Sequence, residues 1–263
     1  FYSGDLDDLF VAARALSAAE IRAAMAGNFA AKLPQVAVGD AVVTIPDTNL
    51  ERMIRQALGK PEGALTSSDL ATLTTLEASA EGLSDLAGIE YCVNLTDLHL
   101  RHNGLTDPAP LGSLKELRFR DLGYANLPHL SFLQSLPNLE LLWIDGNGLA
   151  DMSELSHLQK LRELMISANP IRDLSPIGQL PALRSLNYAG AIADDWSPLI
   201  QLDGLEFLRI DQTFQPDLSF LSALTNLREI GIAGCSLDEL PDLSRLRRLR
   251  ILSVNNNHLT DIA

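Results

Sequence analysis

Few residues in this chain could perform catalysis or bind a metal, and they are scattered. The sequence has five histidines and two cysteines. His99 and His102 are close together, but no cysteine or third histidine lies near them, so the spacing of a zinc site is missing. The sequence also lacks His-Glu-x-x-His, a Cys-x-x-Cys pair, a glycine-rich phosphate loop and Gly-x-Ser-x-Gly. We therefore predict a protein that is not an enzyme, with no catalytic residue, no metal ligand and no cofactor.

A row of carboxylates is the one pattern that could indicate a cation. An acidic residue recurs every 22 residues, just before an apolar residue that opens a turn. An acid there typically accepts backbone N–H bonds as a helix N-cap, which is the interpretation we prefer. The alternative is calcium binding, which needs about six to eight converging oxygens. The row consists of Asp85, Asp107, Asp151, Asp173, Asp195, Asp217, Glu239 and Asp261, with His129 as the exception.

The charge balance excludes some classes of partner. The 263 residues include 34 acidic and 20 basic side chains, for a net charge of −14. Such a chain repels phosphate backbones and anionic lipid surfaces, so we expect no nucleic-acid partner. No stretch reaches the roughly 18 uninterrupted apolar residues of a membrane span, so we expect no membrane insertion within this chain.

The elements that position these residues follow from a 22-residue repeat that begins at Leu73. Within a unit, Leu164 and Ile166 alternate with Glu163 and Met165, which is the period-two signature of a short half-buried strand. Strands of successive units then pair in parallel, and neighbouring units bury each other's edges. The first apolar position recurs without insertion at Leu73, Leu95, Leu117, Leu139, Leu161, Leu183, Leu205, Leu227 and Leu249.

The ends of two units point to a known family. The stretches Asp173–Ile177 (Asp-Leu-Ser-Pro-Ile) and Asp195–Leu199 (Asp-Trp-Ser-Pro-Leu) resemble the leucine-rich repeats of bacterial internalin-like surface proteins. The resemblance implies an α/β fold: a curved right-handed leucine-rich repeat solenoid with a parallel β-sheet on its concave face and an α-helical N-terminal cap. It also implies a secreted or cell-surface bacterial protein with a protein ligand, such as a host or cell-surface protein, while a cytoplasmic location stays open.

We predict three segments along the chain. Residues 1–43 form an Ala-rich helical segment and an extended link of unassigned role, residues 44–72 form the cap, and residues 73–263 hold eight complete repeats and a truncated ninth. In the cap, Thr48 and Glu51 fit a capping box, and a second short helix starts near Thr66. No polar terminal cap precedes Ala263, so we expect the natural protein to continue.

Two further sets of residues are predicted to be structural. Asn103, Asn147, Asn169 and Asn257 recur at the ninth position, where their amides can bond the backbone of adjacent turns. Cys92 and Cys235 fall at inward positions about seven repeats apart, or roughly 30 Å at the spacing of paired strands. We expect both cysteines to be free thiols in the core.

The outward positions of the strands form the candidate binding surface. Phe119, Leu141, Trp143 and Met165 lie in adjacent rows, where a solvated sheet would carry polar residues, and polar side chains surround them as in an interface rim. The alternatives are that residues 1–43 cover this patch or that it is ordinary surface. The predicted protein-binding residues are Phe119, Leu141, Trp143, Met165, Tyr124, His99, Arg101, Asp121 and Asp145, with a second group of Phe207, Arg209 and Asp211.

The sequence favours a non-enzymatic recognition or adhesion module that binds another protein on its concave face. Two alternatives stay open. The repeats could be an accessory region of a larger surface enzyme, or the chain could be an intracellular scaffold that resembles the phosphatase-regulator kind.

Overall fold

The fold is a stack of short parallel strands preceded by two helices. The computed structural model describes residues 40–214 and 216–260, so most of the predicted segment 1–43 lies outside the described residues. The chain divides into two compact units, Phe1–Val42 and Val43–Ala263, and the second contains the described helices and strands. The helices are α1 (Thr48–Leu58) and α2 (Ser67–Leu70). The strands are β1 (Thr75–Glu77), β2 (Asp97–His99), β3 (Phe119–Asp121), β4 (Leu141–Trp143), β5 (Glu163–Met165), β6 (Ser185–Asn187), β7 (Phe207–Arg209), β8 (Glu229–Gly231) and β9 (Ile251–Ser253).

The strands form one sheet in sequence order, and every neighbouring pair is parallel. Each residue pairs with the residue 22 positions later, as Leu142 does with Leu164. The return arms of the first seven repeats each contain a short helical turn. These turns are Ile89–Tyr91, Ala109–Ser113, Ser131–Ser135, Ser153–His157, α3 (Ser175–Gly178), Ser197–Gln201 and Ser219–Ala223.

The inward positions build one continuous apolar core, as the repeat predicts. Leu164 and Ile166 from the strand pack with Ile171, Leu174 and Ile177 from the return arm, and all five are at most 1% exposed. Cys92 and Cys235 are buried free thiols, as predicted. Burial raises the pKa of Cys92 to about 12. No helix in the part of the chain that the structure describes is long and apolar enough to span a membrane.

Six acids of the row, from Asp85 to Asp217, accept the backbone N–H group two residues further on, as predicted for turn bonds. Asp173 accepts the backbone N–H of Ser175 at 2.8 Å, and Asp217 accepts that of Ser219 at 2.9 Å. Hydrogen bonds from these serines lower the pKa of both carboxyls. The acids stand one residue before the N-cap position itself, which is Leu174 in α3. Turn capping therefore accounts for these six acids.

One inward position departs from the pattern. The fourth position of the third repeat carries Arg120, which is fully buried. Its Nη2 donates to the carbonyl of Leu111 at 2.8 Å, and its guanidinium lies 5.1 Å from the ring centre of Phe132. Its Nε and Nη1 have no hydrogen-bond partner. Desolvation lowers the pKa of Arg120 to about 9, so the side chain is still charged at neutral pH.

The start of the cap differs from the predicted one. The N-cap of α1 is Asp47, and not Thr48 in a capping box with Glu51. Asp47 Oδ1 accepts the N–H groups of Asn49 and Leu50, while its Oδ2 accepts that of Ser84 in the first repeat. One carboxylate thus caps the helix and also fixes it to the solenoid. The capping box is found instead at the predicted second helix, between Thr66 and Asp69.

Replacing Asp47 with alanine is expected to lower the free energy of unfolding by about 1–2 kcal/mol at neutral pH, the usual effect of losing an N-cap. Burial by itself would raise the pKa of Asp47, but backbone N–H bonds, led by that of Ser84, outweigh it and lower the pKa. Because the folded-state pKa is depressed, the contribution is present above the unfolded value of about 3.9 and is lost as the pH falls through the folded-state pKa. Denaturant titrations at neutral pH and below pH ~4 measure the difference.

The matched control for Asp47→Ala is Thr48→Ala. Thr48 is exposed, so its replacement is expected to change stability by less than about 0.5 kcal/mol. A larger loss in Thr48→Ala than in Asp47→Ala would restore Thr48 as the cap.

Candidate protein-binding surface

The structure brings the predicted apolar residues together on the outward face of β3, β4 and β5. Phe119 pairs with Leu141, and Trp143 pairs with Met165, so the four side chains occupy neighbouring places on one face. Each is partly exposed. We call these four residues, together with His99 on β2, the inner-face cluster.

Contacts within the inner-face cluster hold its rings in fixed orientations. The ring centres of His99 and Phe119 are 4.8 Å apart, and those of Phe119 and Trp143 are 4.9 Å apart in an edge-to-face arrangement. Trp143 Nε1 donates to Glu163 Oε1 at 2.8 Å. The Glu163 carboxylate therefore sets the orientation of the indole.

Beside the cluster lies a charged group that we call the Arg101 network, which consists of Arg101, Asp121, Asp145 and Tyr124. Arg101 Nη1 lies 3.5 Å from Asp121 Oδ1 and 3.8 Å from Asp145 Oδ2. Its guanidinium also lies 5.0 Å from the ring centre of Tyr124, whose other neighbour is the stacked ring of His102. Arg101 therefore lies against two carboxylates and one aromatic ring.

Both aspartates of the Arg101 network are buried, which corrects their predicted place in an exposed rim. Asp121 is 7% exposed and Asp145 is 8% exposed. Burial raises the pKa of Asp145, although a hydrogen bond from the Ser167 N–H and the charge of Arg101 oppose the shift. A physical reason for their burial is the Arg101 guanidinium, which lies 3.5 Å from Asp121 and 3.8 Å from Asp145.

Two glycines leave the space that this arrangement needs. A Cβ at Gly123 would collide with the Arg101 guanidinium, and a Cβ at Gly146 would collide with the Tyr124 ring. Gly146 also has a φ of +64°, which favours glycine. Neither glycine stands out in the sequence as part of the binding surface.

The second predicted group lies two strands further along. Phe207 is 41% exposed, Arg209 pairs with Glu229 at 3.1 Å, and Asp211 Oδ1 accepts the N–H of Ala233 at 2.7 Å. A shallow trough of about 730 Å³ joins this group to Leu141 and Met165 of the inner-face cluster. The two groups look separate in the sequence, and the structure connects them.

The trough exists because the intervening repeat has small outward residues. Ser185 and Asn187 on β6 line its floor between the two groups. This small pair was a signal in the sequence that could have identified the trough. Its rim includes Glu140, Arg162 and Arg184.

Side chains that could bind a metal ion are spread over the described residues. Among them, no group of three or more histidine, cysteine, aspartate or glutamate side chains is arranged to hold a metal ion. His99 Nδ1 lies 3.6 Å from Glu77 Oε2, at the edge of the inner-face cluster.

Comparison with solved structures identifies similar folds. The chain is similar to internalin InlF of Listeria monocytogenes, with 27% identity over 86% of this chain and 75% of that one, and a TM-score of 0.71. It is also similar to internalin C2 of the same organism, with 29% identity over 81% of this chain and 98% of that one, and a TM-score of 0.75. InlJ of L. monocytogenes, at 20% identity over 83% of this chain and 62% of that one with a TM-score of 0.52, shares the fold. No protein-family model matches the chain. With the parallel sheet, these matches confirm the predicted α/β leucine-rich repeat solenoid.

Proposed function

We propose that this chain, which is an internalin-like leucine-rich repeat protein, is a non-enzymatic module that binds another protein on its concave face. The observation that carries the proposal is the inner-face cluster. It places aromatic and aliphatic side chains, partly exposed and held in fixed orientations, across four adjacent strands.

The inner-face cluster has the usual anatomy of an interface. Protein interfaces have an apolar core that is rich in aromatic side chains and a rim that is polar. Trp143 lies at the centre of the cluster, with Phe119 and Met165 on either side and Glu163 bonded to its indole. Tryptophan is among the residue types that most often dominate binding energy. Trp143 is therefore the proposed anchor, and the trough toward Phe207 extends the surface.

The role as a binding module also fits the shape of the surface. An active site needs a concave pocket that excludes water and groups poised for proton or group transfer. The trough is shallow and open, and two of its arginines pair with its carboxylates, Arg162 with Glu140 and Arg209 with Glu229. We further propose that the protein acts on or outside a bacterial cell, on the basis of its likeness to internalins.

Replacing Trp143 and Met165 together with alanine is expected to abolish ligand binding while the circular dichroism spectrum stays unchanged. Each anchor residue at an interface centre contributes on the order of 2 kcal/mol, so the pair should weaken binding by about a thousandfold. The experiment is quantitative capture of bacterial and host surface proteins on the immobilised wild-type chain and on the double variant.

The matched control is Tyr91→Ala, which also removes an exposed apolar side chain but lies in the helical turn Ile89–Tyr91 of a return arm. The ligand is the protein that is captured by the wild type and by Tyr91→Ala and is lost from the double variant. If the double variant captures every protein that the wild type captures, the concave-face assignment is wrong.

A further inference from the structure

We infer that the partner presents a lysine or arginine side chain to Trp143 and Glu163, so that the inner face of the first five repeats recognises a basic protein surface. This inference rests on the proposed function, because it names the chemistry of the partner that the concave face binds. Three features support it: the charge on this part of the face, the hydrogen-bonding groups that it offers, and the aromatic ring beside them.

The inner face of the first five repeats, which the outward-pointing strand residues form, carries an excess of negative charge. At the outward positions of the strands and of the turns that directly follow them, Arg101 is the one lysine or arginine in these repeats. It is already paired with Asp121 and Asp145. The carboxylates at the same positions are Glu77, Asp97, Asp121, Asp145 and Glu163. A face with this balance attracts a positively charged partner and repels an acidic one.

The arginines at the neighbouring edge of the sheet do not cancel this charge. Arg118 and Arg162 are the second residues of the third and fifth repeats, and both lie against Glu140, at 3.8 Å and 3.9 Å. Their side chains are 64% and 68% exposed, so they point to solvent more than to the cluster. Further along, Arg209 is balanced by Glu229. The negative excess therefore belongs to the first five repeats.

The hydrogen-bonding groups near Trp143 are acceptors. Glu163 uses Oε1 for the indole N–H, and its Oε2 has no hydrogen bond from any residue that the structure describes. Asp145 uses Oδ1 for the Ser167 N–H, and its Oδ2 lies 3.8 Å from Arg101, which is beyond hydrogen-bond length. A ligand that binds here must supply donors, and an ammonium or guanidinium group supplies only donors.

The aromatic ring favours the same ligand group. A cation within about 6 Å of an indole ring is attracted by its π electrons, and tryptophan is the best ring for this contact. A charged hydrogen bond to a carboxylate is roughly twice as strong as a neutral one. Since Glu163 Oε1 is bonded to Trp143 Nε1, one basic side chain can contact the carboxylate and the ring together.

A random peptide library displayed on phage, selected on the immobilised protein, tests the inference. Peptides whose binding is lost in Trp143→Ala are expected to be enriched in lysine and arginine. Chosen peptides are then synthesised and titrated by calorimetry against Glu163→Gln, which keeps a side-chain oxygen for the Trp143 N–H and removes the charge. We expect binding to weaken by about tenfold or more, as for loss of a charged hydrogen bond, and to weaken with added salt.

The control is Glu239→Gln, which makes the same change of charge at an exposed residue in the carboxylate row outside the sheet. It should leave peptide affinity unchanged. Peptides that depend on Trp143 but lack basic residues, or that bind Glu163→Gln as tightly as wild type, would overturn the inference and leave the proposed function standing. If no selected peptide depends on Trp143 while the variant's circular dichroism is unchanged, the proposed function and the inference both fail.

Discussion

Asn169→Ala is expected to destabilise the solenoid by about 3 kcal/mol or more. The side chain is 3% exposed and makes hydrogen bonds to five backbone groups, of which the longest is to the Ser167 carbonyl at 3.3 Å. Its Oδ1 accepts the N–H groups of Asn147 and Leu149 at 3.1 and 3.0 Å, and its Nδ2 donates to the carbonyls of Ile144 and Ile166 at 2.9 and 3.0 Å. Alanine leaves these groups without partners at a place closed to water, and each such group costs about 1–3 kcal/mol. Denaturant unfolding followed by circular dichroism measures the loss.

The matched control is Asn255→Ala, because Asn255 is an exposed asparagine on the last described repeat. Its replacement should change the free energy of unfolding by less than about 0.5 kcal/mol. If the two variants lose the same free energy of unfolding, the hydrogen bonds of Asn169 do not stabilise the solenoid.

Arg120→Leu is expected to stabilise the protein by about 1–4 kcal/mol, the range found when a buried ion pair is replaced by well-packed apolar residues, because Arg120 carries the desolvation cost of such a charge. The native guanidinium is charged at neutral pH and fully buried, and its Nε and Nη1 have no partner. Leucine occupies the equivalent position in the repeats on both sides, Leu98 and Leu142. Thermal and denaturant unfolding of the variant and the wild type measure the gain.

Arg120→Lys provides the comparison, because it keeps the charge but loses the flat group that stacks on Phe132 and reaches Leu111. It is expected to be less stable than the wild type. A loss of stability in Arg120→Leu would show that the bond to Leu111 and the contact with Phe132 outweigh the burial of the charge.

The repeat predicted the fold because each of its positions has one structural environment. A strict spacing of 22 residues fixes the register, so the pairing of Trp143 with Met165 could be read from their positions alone. The bonds of Asn169 and the turn bonds of Asp173 were predictable for the same reason, since both residues recur where the backbone needs a partner.

The repeat pattern did not predict the contacts of a residue that departs from it. It also did not predict burial or helix capping where these depend on neighbouring side chains. The fourth position is otherwise leucine or isoleucine, so Arg120 was visible as an exception in the sequence, but its contacts with Leu111 and Phe132 were not. The alternation of strand residues predicts that Asp121 points outward, but it cannot predict that Arg101 lies against Asp121 and Asp145 and that both are buried. Asp47 and Thr48 are both good cap residues, and pattern alone could not choose between them.

The bonded asparagines have a consequence for the thermodynamics of association. Asn103, Asn147 and Asn169 tie together the turns that follow β2, β4 and β5, the strands that carry most of the inner-face cluster. The backbone next to these strands is already held by hydrogen bonds before a partner binds. This protein therefore loses little conformational entropy when the complex forms. The repeats around Ala191, Thr213 and Cys235 lack the asparagine. Binding at Phe207 is therefore expected to cost more conformational entropy than binding at Trp143.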